Sequence, residues 1–494
     1  MMTTISTAKR KLFHLVLVSC WLGYRCHGFS ATTASSSSGW KPKIESLEDR
    51  KTLRNREDAN TETIGSIGFH HVEFYCGDAR SMANHFAVSL GMSVTGTTGQ
   101  ATGNDKCVSY GLQSGSNFRL LLTAPYSMAR ASNADDDDEE YDAPLPMPEF
   151  SVEGAHAFFQ KHGLAARAIG VEVVDARAAF EASVARGATP VLEPSFLPTC
   201  PAQLREGNNA NDDGCYIAEI ELYGDVVLRY VSYPGGKSGD SGEASSSSPG
   251  MTQPFLPHLA PVETSTLREG YGIYRIDHAV GNVHDLQEAY SRILAFTGFH
   301  EFAEFTSEDV GTVDSGLNSV VLASDSEEVL LPLNEPTNGR RKSQIQTYLE
   351  QNEGPGLQHL ALKTKDIFAT VRKMRQSQND LFGFELMKRP SDRYYRELPD
   401  RLGDQLTPEQ YEELEELGIL ADSDEEGILL QLFTKPVGDR PTFFFEIIQR
   451  IGCVVSYDKT TEFTIERPGC GGFGQGNFRE LFKSIEEHEK TLKV

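Results

Sequence analysis

Three residues in the second half of this 494-residue chain could bind a metal ion together: His278, His359 and Glu446. Each lies within a short apolar run that is typical of a β-strand, and three phenylalanines directly precede Glu446. Burying a carboxylate in such a run costs free energy unless a cation or hydrogen bonds compensate its charge. Two imidazoles and one carboxylate are the ligand set of non-haem Fe(II) sites, which leave positions open for O2 and a chelating substrate. The spacing alone leaves a second interpretation, because a single histidine in a strand is more often a hydrogen-bonded core residue.

The chain is acidic, with 46 basic and 71 acidic residues and a net charge of -25. Nucleic acids and anionic membrane surfaces attract basic patches, so this balance argues against both as partners. Part of the charge is local, since residues 135–140 form an unbroken acidic block. Such a block is typical of a solvated loop rather than a metal site.

The eight cysteines lack the C-x-x-C spacing of zinc and redox motifs, and two of them lie in the first 26 residues. A disulfide framework or a zinc cluster is therefore not expected. We predict buried, reduced thiols in the body of the chain.

Residues 1–64 resemble a targeting leader followed by a polar linker. Basic residues at 9–11 precede an apolar run at 12–21, which is typical of a secretory signal peptide. A segment rich in serine and threonine follows from Phe29. A signal followed by a transit-like segment predicts a bipartite plastid leader, with a secreted, a signal-anchored or a cytoplasmic protein as alternatives. The apolar run is shorter than a membrane span, so the mature protein is not expected to cross a membrane.

The remaining chain divides into two halves that repeat each other. A linker rich in glycine and serine, at 234–261, separates a half at 65–233 from a half at 262–494. Each half contains two similar units, in which an opening strand leads into a helix and short strands follow. The four helices are predicted at 79–90, 176–186, 286–296 and 367–376. This pattern predicts an α+β protein of four βαβββ modules with curved, mainly antiparallel sheets rather than a doubly wound parallel sheet.

The repeat assigns a counterpart to each of the three candidate ligands. His278 lies on the opening strand of the third module, His359 on the opening strand of the fourth, and Glu446 on the last strand of the fourth. All three should therefore converge on one sheet. In the first half only His71 matches, because Ala168 and Arg229 occupy the other two positions. A methyl group and a guanidinium cannot bind a cation, so the first half is predicted to lack a metal. His70 beside His71 should face the other way, because side chains alternate along a strand.

A glycine-rich segment at 469–476 resembles a hinge, and a helix start follows it, with Asn477 as N-cap and Glu480 three residues on. An apolar stripe then recurs at helical spacing and consists of Phe478, Leu481, Phe482 and Ile485. The segment lacks the Lys-Ser/Thr pair of a phosphate-binding loop. We predict a C-terminal helix that closes over the site as a lid, with a plain packing helix as the alternative.

Long stretches of the chain resemble the 4-hydroxyphenylpyruvate dioxygenase family. They include 296–306, 315–324, 331–336, 342–350, 433–441 and 469–478 in the second half, and 70–79 and 121–126 in the first. The resemblance implies the vicinal-oxygen-chelate fold, with curved sheets forming open barrels, and one Fe(II) per chain held by the three candidate ligands. It also implies a homodimer that converts 4-hydroxyphenylpyruvate and O2 to homogentisate and CO2. This reaction serves tyrosine and phenylalanine catabolism and the supply of plastoquinone and tocopherol precursors.

The same resemblance implies which side chains surround the substrate. The expected ring-contacting aromatics are Phe433, Phe473 and Phe478, for which core packing is the alternative role. The expected polar residues of the catalytic pocket are Ser319, Asn334, Gln344, Gln358 and Gln431. Strand alternation alone would turn Gln358 to the face opposite that of His359.

Three other functions are compatible with this fold. A 4-hydroxymandelate synthase uses the same substrate but hydroxylates its benzylic carbon. The pattern of the synthases has a smaller aliphatic residue at the position of Phe433, so Phe433 favours attack on the ring. An extradiol ring-cleaving dioxygenase shares the fold and the ligand set. A binding protein without catalytic activity is the third alternative, and the intact ligand set argues against it.

Overall fold

A computed structural model describes residues 61–115, 117–127, 147–198, 214–234, 254–262, 270–305, 316–337, 339, 341–458, 463–478, 480–482 and 484–485. The leader up to residue 60, the acidic block at 135–140 and most of the predicted linker lie outside these residues. Among the described residues, no helix has both the length and the apolar character needed to span a membrane.

Four modules follow one another along the described chain, each with one strand, one helix and three further strands, so the predicted α+β architecture is confirmed. The first module consists of β1 (Ser66–Tyr75), α1 (Ala79–Leu90), β2 (Ser93–Thr98), β3 (Cys107–Ser114) and β4 (Phe118–Pro125). The second module, which α2 (Val152–His162) precedes, consists of β5 (Ala165–Val173), α3 (Ala176–Ala185), β6 (Pro190–Pro198), β7 (Gly214–Tyr223) and β8 (Val226–Ser232).

The second half repeats this order. The third module consists of β10 (Ile273–Asn282), α4 (Leu286–Thr297), β11 (His300–Phe305), β12 (Leu317–Ala323) and β13 (Leu330–Pro336). The fourth module, which α5 (Gln344–Gln351) precedes, consists of β14 (Gly356–Thr364), α6 (Ile367–Leu381), β15 (Leu420–Ser423), β16 (Ile428–Phe433) and β17 (Phe444–Ile451). Two additional helices, α7 (Asp392–Leu402) and α8 (Pro408–Leu417), lie between α6 and β15.

Each module helix begins where the sequence predicts, because an aspartate at the end of the opening strand caps it. The capping residues are Asp78, Asp175, Asp285 and Asp366, and each carboxylate accepts a hydrogen bond from a backbone N–H of the first turn. The prediction for α6 ended too early, since the helix continues past residue 376 to Leu381. The helices α2, α5, α7 and α8 were not predicted. For α8 a signal is present in the sequence, because Thr407 and Gln410 form a capping box around a proline.

Two curved sheets carry the modules. The first has the strand order β6-β7-β8-β5-β1-β4-β3-β2-β9, where β9 is Ala260–Pro261, and the second has the order β11-β12-β13-β10-β14-β17-β16-β15. The opening strands pair antiparallel in the middle of each sheet, β1 with β5 and β10 with β14. A hairpin of β18 (Val454–Asp458) and β19 (Phe463–Glu466) follows the second sheet. One sheet per half supports the predicted division into two domains, which stays a prediction.

The end of the predicted linker belongs to the first sheet. Strand β9 pairs with β2 at the sheet edge, and Phe255, Leu256 and Leu259 are buried. Residues 254–261 therefore pack against the first sheet, and the prediction that they belong to a linker is wrong. The glycine and serine residues that motivated the prediction lie earlier in the segment.

Strand register agrees with the counterparts that the repeat assigned. The pairs in the second sheet are His278 with Ala361, Ala361 with Glu446, and Val280 with His359. The pairs in the first sheet are His71 with Gly170, Gly170 with Arg229, and Glu73 with Ala168. The two sets occupy equivalent positions, so the first sheet presents a histidine, an alanine and an arginine where the second presents its two histidines and a glutamate.

Two β-bulges in each half break the alternation of side chains near these positions. The extra residue is Asp277 in β10 and Gln358 in β14. His70 in β1 and Arg167 in β5 take the corresponding places in the first half. The prediction that His70 faces away from His71 is therefore wrong, because the bulge brings the Nδ1 atoms of the two rings to 2.6 Å from each other.

One pair of cysteines departs from the expected reduced state. Cys453, just after β17, forms a disulfide with Cys470 in the glycine-rich segment. The prediction of reduced thiols is wrong for this pair, which carries no spacing motif because 17 positions separate the two residues. Three other cysteines of the described chain, Cys76, Cys107 and Cys215, are free and buried as predicted.

Aromatic side chains pack the two halves together behind the candidate site. Phe74 of β1 contacts Phe443 with 4.8 Å between ring centroids, and Phe86 of α1 contacts Phe445 at 5.7 Å. Both pairs are edge-to-face, the arrangement that aromatic quadrupoles favour. Side chains alternate along β17, so Glu446 points to the opposite face, away from this interface.

Candidate metal centre and active site

The three candidate ligands meet on the inner face of the second sheet. His278 lies on β10, His359 on β14 and Glu446 on β17. The Nε2 atoms of His278 and His359 lie 3.3 and 3.5 Å from Oε2 of Glu446, and the three ligand atoms lie within 4.8 Å of one another. His278 and Glu446 are buried, and His359 exposes 11% of its side chain. Among the residues that the structure describes, this is the group of side chains that could hold a metal ion.

The donor set fits a divalent metal because the far side of each imidazole is already engaged. Nδ1 of His278 lies 2.9 Å from Oδ2 of Asp277, and Nδ1 of His359 lies 3.0 Å from Oε1 of Gln358. Both oxygens accept hydrogen bonds, so each Nδ1 carries a proton and each Nε2, which faces Glu446, is the atom that a metal would bind. Two such nitrogens and a carboxylate suit a metal that keeps open coordination positions.

The electrostatics of the three groups are coupled. Burial alone would raise the pKa of Glu446, but hydrogen bonds and charge from His278 and His359 lower it to about 2. Burial would lower the pKa of His278, yet its bonds to Asp277 and Glu446 raise it, whereas burial lowers the pKa of His359 despite Glu446. A bound cation would take the place of the protons that these groups share.

Glu446 is also held from the side of the C-terminal segment. Gln431 donates from Nε2 to Oε1 of Glu446 at 2.9 Å, and Asn477 donates from Nδ2 to Oε1 of Gln431 at 3.0 Å. The hydroxyl of Tyr394 donates to Oδ1 of Asn477 at 2.7 Å. The prediction that Asn477 is a helix N-cap is therefore wrong, because its carboxamide points inward and both of its ends are occupied.

All the predicted pocket residues line one cavity. They are His278, Ser319, Asn334, Gln344, Gln358, His359, Gln431, Phe433, Glu446, Phe473 and Phe478. The cavity has further apolar lining that was not predicted as substrate-contacting: Val280, Phe305, Leu317, Val321, Pro332, Phe444, Leu481, Phe482 and Ile485. The bulge in β14 explains how Gln358 reaches the same cavity as its neighbour His359.

Aromatic rings lie directly against the imidazoles. Phe473 meets His278 edge-on with 5.2 Å between centroids, and Phe444 stacks on His359 at 4.8 Å. Phe433 contacts Phe444 at 6.1 Å. Phe444 was not predicted to take part, although it precedes Glu446 by two residues and so shares its strand face.

The five predicted polar residues lie on five elements around the cavity, namely β12, β13, α5, β14 and β16. Ser319 of β12 and Asn334 of β13 are direct cross-strand partners, and Asn334 donates to Oδ1 of Asn282 at 3.3 Å. Gln344 is the first residue of α5, and Ser343 caps that helix. Each carboxamide or hydroxyl thus has a fixed backbone, which suits groups that orient a ligand.

The C-terminal segment covers the cavity. After the glycine-rich turn, residues 475–477 form a 3-10 helix, and residues 478, 480–482 and 484–485 are helical. Phe473, Phe478, Leu481 and Ile485 of this segment all line the cavity. Their position is the one that the predicted lid would occupy.

Gly474→Ala is expected to lower turnover by about 10- to 100-fold, the range typical of outer-sphere groups at metal sites. Gly474 has φ 76°, and a β-carbon there would lie 2.7 Å from Cδ of Gln431 and closer still to its Oε1. The overlap would push Gln431 away from Glu446. Gly403→Ala is the matched control, because Gly403 has φ 59° but open space around it. Equal loss of turnover in steady-state assays of both variants would contradict the role of Gln431.

The counterpart site in the first sheet holds a buried ion-pair network instead of a metal set. Arg229 pairs with Glu73 at 2.6 Å and with Glu219 at 2.7 Å, and its Nη1 lies 2.9 Å from Nε2 of His71. Burial, followed by the neighbouring charges of His70 and Arg229, lowers the pKa of His71 well below its usual value. His71 is thus a neutral acceptor for the guanidinium.

His71→Gln is expected to lower stability by about 1–3 kcal/mol, the cost of leaving a buried polar group poorly paired. Iron content and turnover should stay close to wild type, because the site lies in the other sheet. His156→Gln is the control, since His156 is half-buried and its Nε2 lies 2.8 Å from the backbone oxygen of Tyr126, away from the ion-pair network. Thermal unfolding and iron analysis check this, and two irons per chain with one lost in His71→Gln would contradict it.

Comparison with known proteins finds similar sequences that cover most of the chain. The 4-hydroxyphenylpyruvate dioxygenase of Daucus carota is 51% identical over 429 residues, which cover 86% of this chain and 88% of that protein. The 4-hydroxyphenylpyruvate dioxygenase of Arabidopsis thaliana is 49% identical over 441 residues, covering 89% of this chain and 92% of that protein. The protein of the same name from Coccidioides posadasii is 31% identical over 431 residues, which cover 85% of this chain and 93% of that protein. No family model matches the chain.

Solved structures agree on the fold. A triple mutant of 4-hydroxymandelate synthase from Streptomyces coelicolor has a TM-score of 0.63 at 22% identity, covering 86% of this chain and 99% of its own. A xylose isomerase-like TIM barrel/4-hydroxyphenylpyruvate dioxygenase fusion protein has a TM-score of 0.56 at 20% identity. The match covers 86% of this chain and 54% of the fusion protein. At these identities the likeness shows the fold alone, which is the predicted vicinal-oxygen-chelate fold.

Proposed function

The chain belongs to the 4-hydroxyphenylpyruvate dioxygenase family, and we propose that it converts 4-hydroxyphenylpyruvate and O2 to homogentisate and CO2. The observation that carries this proposal is the convergence of two imidazole nitrogens and one carboxylate oxygen, within 4.8 Å of one another, at a cavity with aromatic walls. The reaction belongs to tyrosine and phenylalanine catabolism and supplies the precursor of plastoquinone and tocopherols.

We infer that His278, His359 and Glu446 would hold one Fe(II) per chain. When bound, Fe(II) supplies the Lewis-acid template and the electrons for the reaction of a 2-oxo acid with O2. Asp277 and Gln358 would keep the two imidazoles in the tautomer that donates Nε2. Glu446 would offset part of the metal's charge, while Gln431 holds its second oxygen in place.

The remaining cavity residues would orient the substrate. Phe433, Phe473 and Phe478 offer flat apolar walls to the ring, which favour one ring plane. Ser319 and Asn334, adjacent across β12 and β13, would hydrogen-bond substrate oxygens and set the direction in which the ring points. The reacting carbon atoms would thereby be held close to the three ligands.

The lid segment would keep bulk water away from the reacting atoms. Leu481, Phe482 and Ile485 present apolar side chains to the cavity and hold no group that could donate a proton. Closure of this segment over bound substrate would protect reactive species from side reactions.

Phe433 favours ring hydroxylation over the mandelate alternative. It is the direct cross-strand partner of Glu446, so its ring would restrict how far the substrate side chain can approach the ligands. A smaller aliphatic residue would leave room for the benzylic carbon there. Neither mandelate synthesis nor ring cleavage has a specific feature of this cavity in its favour.

Product identification tests the proposed reaction. Purified protein loaded with Fe(II) is incubated with 4-hydroxyphenylpyruvate in air, and products are separated beside authentic homogentisate and 4-hydroxymandelate. These two compounds are isomers, so chromatography or NMR is needed rather than mass alone. We expect homogentisate, whereas 4-hydroxymandelate or a ring-opened product would contradict the proposal.

We also propose that residues 1–64 include a cleaved bipartite plastid leader and that the mature chain forms a homodimer. The composition of the leader supports the first proposal and the family resemblance supports the second. N-terminal sequencing of the protein from its own cells, and light scattering of the purified protein, test them. An intact N-terminus or a monomer in solution would contradict the respective proposal.

A further inference from the structure

A buried relay of hydrogen bonds connects the candidate ligand His278 to the glycine-rich segment before the lid helix. Nδ1 of His278 donates to Oδ2 of Asp277 at 2.9 Å. Arg450, on β17, donates to both oxygens of Asp277, from Nε at 3.1 Å and from Nη2 at 2.7 Å. Nη1 of Arg450 donates to the backbone oxygens of Cys470 and Gly472, at 2.8 Å for Gly472.

Both side chains of this relay are buried. The side chain of Arg450 is 0% exposed and that of Asp277 is 1% exposed, and they form a two-pronged pair. The guanidinium also lies 5.8 Å from the ring centroid of Phe473, whose own ring meets His278 at 5.2 Å. Arg450 therefore contacts the lid segment through two backbone oxygens and one aromatic ring, and reaches the ligand through Asp277.

The first sheet has different residues at the positions that form this relay in the second sheet. Tyr233 occupies the position of Arg450 in the first sheet, and His70 occupies the bulged position of Asp277. There the relay is uncharged: the hydroxyl of Tyr233 lies 2.8 Å from Nε2 of His70, and Nδ1 of His70 lies 2.6 Å from Nδ1 of His71. The same backbone geometry thus carries a charged pair in the sheet with the metal set and neutral groups in the sheet without it.

We propose that Arg450 is a positioning residue that makes lid closure and the orientation of His278 one coupled event. The closed segment presents two carbonyl oxygens that hold the guanidinium, the guanidinium holds Asp277, and Asp277 holds the imidazole in the orientation that donates Nε2. Binding of a metal at His278 should then stabilise the segment at 469–474, and the closed segment should strengthen metal binding by the same factor. The inference rests on the proposed function for its metal, but the coupling itself requires no substrate.

A double variant separates positioning from simple structural support. Asp277→Asn with Arg450→Met removes both charges of the buried pair, a type of replacement that is often neutral for stability. The control is Arg467→Gln, because Arg467 lies just before the same segment but is 51% exposed and pairs with Glu426 at the surface. Two quantities are measured without substrate and without O2: the dissociation constant for Fe(II), and hydrogen exchange of backbone amides at 469–474 with and without Fe(II).

In wild type and in the Arg467→Gln control we expect Fe(II) to slow exchange at 469–474. In the double variant we expect an Fe(II) dissociation constant raised by about 10- to 100-fold, as for other partners of metal-bound histidines. We also expect Fe(II) to leave the exchange of the segment unchanged. A double variant that folds and matches wild type in both quantities would overturn the proposal. If the double variant does not fold, Arg450→Lys gives the same decision, because a lysine keeps the buried positive charge beside Asp277 but cannot bond both Asp277 oxygens and both carbonyl oxygens at once.

The two proposals fail separately. Wild-type protein that binds Fe(II) and protects the segment but makes no homogentisate would leave the relay in place and overturn the proposed reaction. Wild-type protein that makes homogentisate, with a double variant indistinguishable from it, would leave the reaction in place and overturn the relay.

Discussion

Glu446→Ala protein is expected to fold, to bind no Fe(II) at micromolar concentrations and to form no homogentisate. Glu446 is the carboxylate of the set, and its Oε2 lies within 3.5 Å of both imidazole nitrogens. Loss of a ligand should exceed the effect of losing an outer partner, so metal affinity should fall by more than ~100-fold. The same losses of Fe(II) binding and of product are expected for His278→Ala and His359→Ala. In Glu446→Ala the free energy of unfolding should fall by only about 1–3 kcal/mol, mainly because Gln431 loses its hydrogen-bond acceptor.

Metal analysis after equilibrium dialysis, thermal unfolding and product assays check this prediction. His300→Ala is a matched control for the histidine variants, since His300 lies in the same half and pairs with Glu327 at 3.6 Å outside the cavity. Glu353→Gln is the control for Glu446, because its side chain is 59% exposed. Glu446→Gln protein with full iron occupancy and full turnover would show that the ligand assignment is wrong.

A chain that ends before Gly469 is expected to bind iron at saturating Fe(II) but to consume O2 without matching homogentisate formation. All three candidate ligands precede the cut. The cut removes Phe473 and Phe478 from the cavity, the partner of the disulfide, and the carbonyl oxygens that hold Arg450. Water would then reach the reacting atoms, which uncouples O2 consumption from product.

The truncation also removes buried apolar residues, so a milder full-length variant accompanies it. Phe473→Ala with Phe478→Ala keeps the backbone of the lid while opening the cavity on that side. An oxygen electrode and quantitative chromatography give the ratio of homogentisate to O2 consumed. An unchanged ratio in both proteins would refute the lid role, whatever the change in their melting temperatures.

The internal repeat explains why much of the site could be predicted from the sequence. Aligning His71 with His278 also aligned Ala168 and Arg229 with the two other candidate ligands, and the strand register places these residues at equivalent positions. The reason is physical: each module buries one face of its opening strand, so register cannot slip by one residue without exposing that face.

What the sequence did not predict lies where local backbone geometry departs from the regular pattern. The bulges that turn Asp277 and Gln358 toward the ligands add one residue to a strand, and the apolar pattern of that strand hardly changes. The contact between Asp277 and Arg450 depends on the bulge, so the sequence pattern does not predict this contact. The disulfide between Cys453 and Cys470 depends on the fold of the segment between them, which no spacing rule describes.

The fate of isotopically labelled O2 tests the central claim most directly. Wild-type protein with Fe(II) and 4-hydroxyphenylpyruvate is supplied with labelled O2, and the product is fragmented to locate the label. We predict one labelled oxygen in the new ring hydroxyl and one in the carboxylate of homogentisate, with one CO2 released per O2 consumed. Label on the benzylic carbon, label at a cleaved ring bond, or product without label would contradict the account.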